Sequence, residues 1–301
     1  MMYRKVNYCV GLCALLGTFV ASGLGLFADT PATVSDPYWG PAPYHHHAIA
    51  PADLENGRIQ FANDNIAEAR RFLIRAEAVH PADAGLLGLL AETYIIDDEL
   101  GNARDCLERG LALDSAARNT TLQVAEICMA LKTAIAERES GKRRNLFQLA
   151  ASAAQAHLRR IRTDGGEHDV YAAFYLWLSD RELGDGSAAE IVLDDCLART
   201  KKNDPWDYEG SITAKFLRGL ITEESYLQLA SRDLYRQTID LRCQCYFYIA
   251  ARDFLAGDLP SARVAFEKSV STGKKHLPEW MLAAAFLRQL SLSQPSRVSA
   301  N

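Results

Sequence analysis

The chain has 301 residues, 49% hydrophobic and 24% charged, with a formal net charge of −5. That is the composition of a folded protein with material for a large core, and it excludes a disordered or collagen-like chain. The mild acidity argues against nonspecific nucleic-acid binding.

Residues 1–28 have the pattern of an export signal. Arg4 and Lys5 form a positive start, residues 8–27 are apolar, and small residues at Ala21, Gly23 and Ala28 suit cleavage after Gly23 or Ala28. An uncleaved membrane anchor is the competing reading, because twenty apolar residues can span a bilayer. The Gly and Ser residues from Gly11 to Gly25 favour the cleaved form. Neither Cys9 nor Cys13 follows the Leu-small-small run that lipidation requires. Residues 29–52 are expected to be a linker, punctuated by Pro31, Pro37, Pro41, Pro43 and Pro51 without an apolar period. Its run His45, His46, His47 is a metal tether in one reading. Three adjacent imidazoles on a flexible segment lack a fixed fourth ligand, so a solvated linker fits better.

A period of 34 residues begins at residue 52. Ala69, Leu73 and Ala76, spaced i, i+4 and i+7, return as Ala103, Leu107 and Gly110. Upstream, Gly57 maps onto Ala91 and Gln60 onto Tyr94. Small residues facing each other, with a large apolar residue four positions on, suit two closely packed antiparallel helices that stack on the next pair. The third unit starts on period with Leu122, Ala125 and Cys128, then meets Glu137 where a small residue is due. The apolar pattern resumes at Leu146, Leu149, Ala150 and Ala153, which places about 13 extra residues in this unit. Its first helix is therefore expected to be lengthened and to end near Glu139. The added stretch carries Lys142, Arg143 and Arg144, read either as a patch for an anionic partner or as solvated charge.

A fourth pair carries Val170, Ala173, Phe174, Trp177 and Leu178 on one helix and Ala189, Leu193 and Cys196 on the other, with Gly184 at the turn. Residues 201–235 are expected to form an irregular helical pair. In the last repeat Ala262, Phe266 and Ser269 restore the spacing, Pro260 opens the second helix, and residues 276–292 form a capping helix. Residues 294–301 are expected to be a tail. The five cysteines beyond the signal, Cys106, Cys128, Cys196, Cys243 and Cys245, match no disulfide framework and read as small buried hydrophobes, with one disulfide as the alternative.

The period and the spacing of small residues resemble the tetratricopeptide repeat (TPR). The expected fold is therefore an all-α solenoid of helical hairpins: an array over 53–200, the irregular pair, and a final repeat with its cap over 236–293. The runs YAAFYLWLSDRELGDGSAAEIVLDDCL, FLRGLITEESYLQLA and CQCYFYIAARDFLAGDLPSARVAFEKSV are similar to bacterial cell-envelope TPR lipoproteins of the NlpI type. That resemblance implies a periplasmic, dimeric adaptor that docks envelope proteases and peptidoglycan hydrolases without catalytic residues of its own. The chain departs from it in lacking a lipidation cysteine and in its expanded third unit.

In this register the groove positions for a partner are Arg58, Phe61, Glu92, Ile95, Ile96, Glu126 and Met129 in the first three repeats. Phe247, Ala251 and Phe254 follow in the last; for the apolar ones ordinary core packing is the other reading. A carboxylate clamp needs a Lys and an Asn four apart on this face. The chain has Leu54 and Arg58, Gly88 and Glu92, Leu122 and Glu126 there instead, so an apolar groove for a peptide or helix fits better. His80, His157, His168 and His276 are scattered, and no metalloprotease, nucleophile-elbow, phosphate-loop or dinucleotide pattern occurs. No cofactor or metal is expected. The expected function is a non-catalytic protein-binding scaffold. The alternatives are a self-assembling structural repeat protein and an envelope enzyme with an unrecognised site.

Overall fold

The computed structural model describes residues 52–113, 119–164, 170–199, 205–231 and 238–292. The expectations for the signal segment, the linker with its histidines, residues 201–204 and the tail lie outside these residues. Among the described residues the chain is all α, with thirteen helices and no strand. Four helix pairs come first: α1 (Ala52–Ala62) with α2 (Ile66–Val79), α3 (Ala84–Ile96) with α4 (Leu100–Leu113), α5 (Thr120–Ala136) with α6 (Ser140–Asp164), and α7 (Val170–Leu183) with α8 (Gly186–Arg199). Then follow α9 (Pro205–Leu217) with the short α10 (Glu223–Ala230), α11 (Thr238–Leu255) with α12 (Leu259–Ser271), and α13 (Pro278–Leu292). Each first helix packs on its partner and on the first helix of the next pair.

The small positions of the period are where helices meet. Ala69, Leu73 and Ala76 are buried, as are Ala103, Leu107, Ala262, Phe266 and Ser269. A Cβ on Gly57 would come within 2.7 Å of the Leu73 side chain, so the glycine admits α2 against α1. Gly88 does the same between repeats: its missing Cβ would stand 2.8 Å from the backbone nitrogen of Leu122 at the start of α5. Arg70 on α2 also couples two repeats. It donates to Asp97 at 2.5 Å, Glu99 at 2.6 Å and the Thr93 carbonyl at 2.6 Å, and it lies over the Tyr94 ring.

Five of the hairpin turns share one geometry, and the turn between α5 and α6 does not. Asp64, Asp98, Gly184, Gly219 and Gly257 all have positive φ, between 63° and 85°. In each turn the N–H of that residue bonds back three residues and the next N–H bonds back five. This pair of bonds closes a helix with a left-handed residue just beyond its end, where glycine is normally favoured. The first two turns use aspartate, and Asp64 and Asp98 are 34 residues apart.

The expansion of the third unit is divided between both helices. The helix α5 ends at Ala136, three residues short of the expected Glu139, and α6 extends to 25 residues. The polar stretch after Glu139 opens α6. Its basic residues are engaged within the chain: Lys142 pairs with Glu139, Arg143 donates from one guanidinium nitrogen to both carboxylate oxygens of Glu182 of α7 and lies over Phe147, and Arg144 donates to the Leu183 carbonyl. The five cysteines are buried, with no disulfide among the described residues.

Gly88→Ala is expected to cost about 1–3 kcal/mol, because its Cβ would meet backbone that cannot rotate away. Gly101→Ala, in open space on α4, should be neutral or stabilising by up to about 1 kcal/mol. Urea unfolding of the two variants measures the contrast.

Candidate interaction surface

The helices α3, α5 and α7 are buried nearly all round. On α7 every residue from Tyr171 to Asp180 is buried, and on α5 eleven residues are, including Gln123 and Lys132. A helix covered on all sides has a neighbour opposite its partner. For α5 that neighbour is α13, which packs against α5, α11 and α12 and so crosses the first-helix side of the array. Its buried residues Met281, Leu282, Ala285, Phe286 and Leu290 form an apolar stripe. Phe286 lies 4.9 Å from both Phe254 and Phe266 between ring centroids.

This packing decides where the expected groove residues lie. Phe61, Ile95, Phe247 and Ala251 are buried, and Glu92 is 8% exposed. Arg58, Ile96, Glu126, Met129 and Phe254 are part-buried. Phe61 meets the His276 ring edge-on, Phe254 meets Phe286, and the carbonyls of Ile95 and Ile96 accept from Lys132. The C-terminal segment of the same chain thus meets Phe61 and Phe254, while α5 meets Ile95 and Ile96.

The two turn aspartates hold the ends of this segment. Asp64 accepts from the backbone N–H of His276 at 3.0 Å and from its Nδ1 at 2.9 Å, with Lys274 3.9 Å away. Asp98 takes Lys132 of α5 at 2.6 Å and Arg288 of α13 through two contacts. Burial pushes the Asp98 carboxyl up, but the bonds from Lys132 and Arg288 outweigh it and its pKa falls below the usual value. Burial lowers the Lys132 pKa, opposed by Asp98. Asp97, next in sequence, turns the other way to Arg70. Between the two ends, Glu279 is fully buried and accepts from Tyr248 at 3.0 Å and Tyr175 at 3.3 Å, on α11 and α7.

Burial raises several interior carboxyls: Glu279 to about 7 and Asp180 to about 6, with Glu126 moved in the same direction and Glu92 well above the usual range. Neither oxygen of Glu92 has a hydrogen-bond partner. His157 is buried against Gln123, His276 against Asp64, and His168 lies outside the described residues. No group of three or more His, Cys, Asp and Glu with metal-binding geometry occurs among the described residues. No described helix is long and apolar enough to cross a membrane.

Sequence reasoning did not single out Asp64, Lys132, His276 or Glu279 as parts of this surface. One signal was available: aspartate at 64 and 98 stands where the later turns have glycine.

A raised carboxyl pKa binds its proton more readily in the folded chain than in the unfolded one. The stability it contributes is therefore complete below the unfolded value near 4.5 and is lost as pH rises through about 7 for Glu279. That interval corresponds to roughly 3 kcal/mol as a ceiling for this residue. Stability should fall between pH 5 and pH 8, and Glu279→Gln should flatten the fall; denaturation midpoints at both pH values measure it. Because Phe61 is enclosed, Phe61→Ala is expected to cost about 3–5 kcal/mol in the same assay, as a core truncation does.

No protein-family model and no curated protein matches this chain.

Proposed function

We propose that this chain is a tetratricopeptide-repeat protein of the bacterial cell envelope that acts as a non-catalytic adaptor, binding other proteins through its repeats. The observation that carries the reading is α13. The first-helix side accommodates an amphipathic helix, with an apolar stripe against α5 and α11 and an acidic turn near each end. Surfaces that take a helix in this way use apolar anchors at helical spacing, as protein-recognition grooves do. The 34-residue separation of the two aspartate turns and the buried small positions support the repeat assignment. Export rests on residues 1–28, and an envelope protease or cell-wall hydrolase is the partner class that the NlpI-type resemblance suggests.

The test is affinity capture of the mature protein from its native envelope fraction, with complexes rebuilt from purified components. A protease or hydrolase that forms a defined complex supports the adaptor reading. Recovery of the bait alone as a stable oligomer would replace it with self-assembly. Turnover of peptidoglycan or a peptide by the purified chain would replace it with an enzyme.

A further inference from the structure

A cavity of about 290 Å³ lies between α10 and the first half of α11. None of the groove residues expected on α11, Phe247, Ala251 and Phe254, borders it. Its apolar walls are Leu227 and Ala230 of α10 and Leu241 of α11. Leu241 is 4% exposed and Cys245, one turn further along, is 3% exposed, while Arg242 between them is open to solvent. The cavity therefore reaches from the surface into the interior. Its volume stands at the lower end of the range for small-molecule sites. A cavity of roughly half this volume holds a benzene ring, so this one takes about a dozen heavy atoms.

The mouth is cationic. Arg242 pairs with no carboxylate among the described residues. Lys268 of α12 lies over the Tyr246 ring, 5.5 Å from its centroid, and holds a second positive charge against the same wall. No Asp or Glu lines the cavity. The Tyr246 hydroxyl has no hydrogen-bond partner among the described residues, which leaves its proton for a ligand. The other polar walls are already engaged. The Ser231 hydroxyl donates to the Gln228 carbonyl at 2.7 Å, and the Cys245 thiol is hydrogen-bonded with Tyr226. An unpaired guanidinium and a phenol beside an apolar recess match an anionic head on an apolar body. The planar fork of the guanidinium suits a carboxylate best.

We propose that this cavity binds a small amphipathic carboxylate, its apolar body against Leu227, Ala230 and Leu241 and its head on Arg242 and Tyr246. A medium-chain fatty acid is the simplest member of the class, and octanoate, with about ten heavy atoms, is within the size the cavity takes. The site stands independently of the adaptor reading.

Octanoate is the probe, titrated calorimetrically into the full mature chain, with octan-1-ol as its uncharged counterpart. Octanoate should bind with one-to-one stoichiometry and octanol about tenfold more weakly, because a hydrogen bond to a charged group contributes that much. Arg242→Gln should lower octanoate affinity by about tenfold and leave octanol unchanged. Ala230→Phe places a ring in the recess and should abolish binding of both. Arg242 is exposed and Ala230 part-buried, so both substitutions fall outside the fully buried core. Amide chemical-shift changes on adding octanoate to the unmodified chain locate the site without any substitution, and they should centre on α10 and the start of α11. No saturable octanoate binding at millimolar concentrations would overturn the proposal. So would equal affinity for octanol, affinity indifferent to both substitutions, or shift changes centred elsewhere on the chain.

Discussion

Lys132 sits on the central helix α5 with its side chain 3% exposed, and a buried ammonium needs an anion and hydrogen-bond acceptors. Asp98 supplies the charge, and the carbonyls of Ile95 and Ile96 at the end of α3 supply acceptors. Asp98 can do this because it lies in the left-handed turn after α3, from which it also reaches Arg288, 190 residues away. One carboxylate therefore ties the second repeat, the third repeat and the C-terminal helix together. The array depends on this junction, because a neighbour must cover the faces of α3 and α5 turned away from their partner helices.

An open repeat array exposes its first helices along a groove, and its stability is a sum over neighbours. Here α13 adds contacts between parts of the chain that are far apart in sequence. Tyr175 and Tyr248 meet at Glu279, and Asp64 near the start of the described chain meets His276 near its end. Such long-range contacts couple the first repeat to the last. The second helices keep single exposed apolar residues, among them Ile74, Leu149, Ile191 and Val264, at a spacing ordinary for a protein surface.

Much of the architecture was legible from residue type and interval. Two antiparallel helices in close contact demand small residues at the crossing, so Gly57, Ala69, Ala76 and Ala103 announced the hairpins wherever the period held. Pro260 and the glycine turns announced the boundaries in the last repeats. The third unit was less legible, because a polar run that looks like a loop is also a sound first turn for a helix when Arg143 finds Glu182. The period assigned the groove residues to the first helices. What remained illegible was the occupant: Phe61 and Phe254 look the same whether they await a partner or lie against the C-terminal segment of the same chain.

By itself the sequence determined that the chain is helical, where the hairpins that keep the period turn, and which small residues meet in them, because these depend on neighbours within one period of 34 residues. Tertiary structure alone decided that α13 crosses α5, that Asp64 and Asp98 anchor its ends, and that Glu279 is buried between two tyrosines. Those outcomes depend on how many stacked pairs place parts of the chain that are far apart in sequence against one another. A local pattern carries no record of that sum.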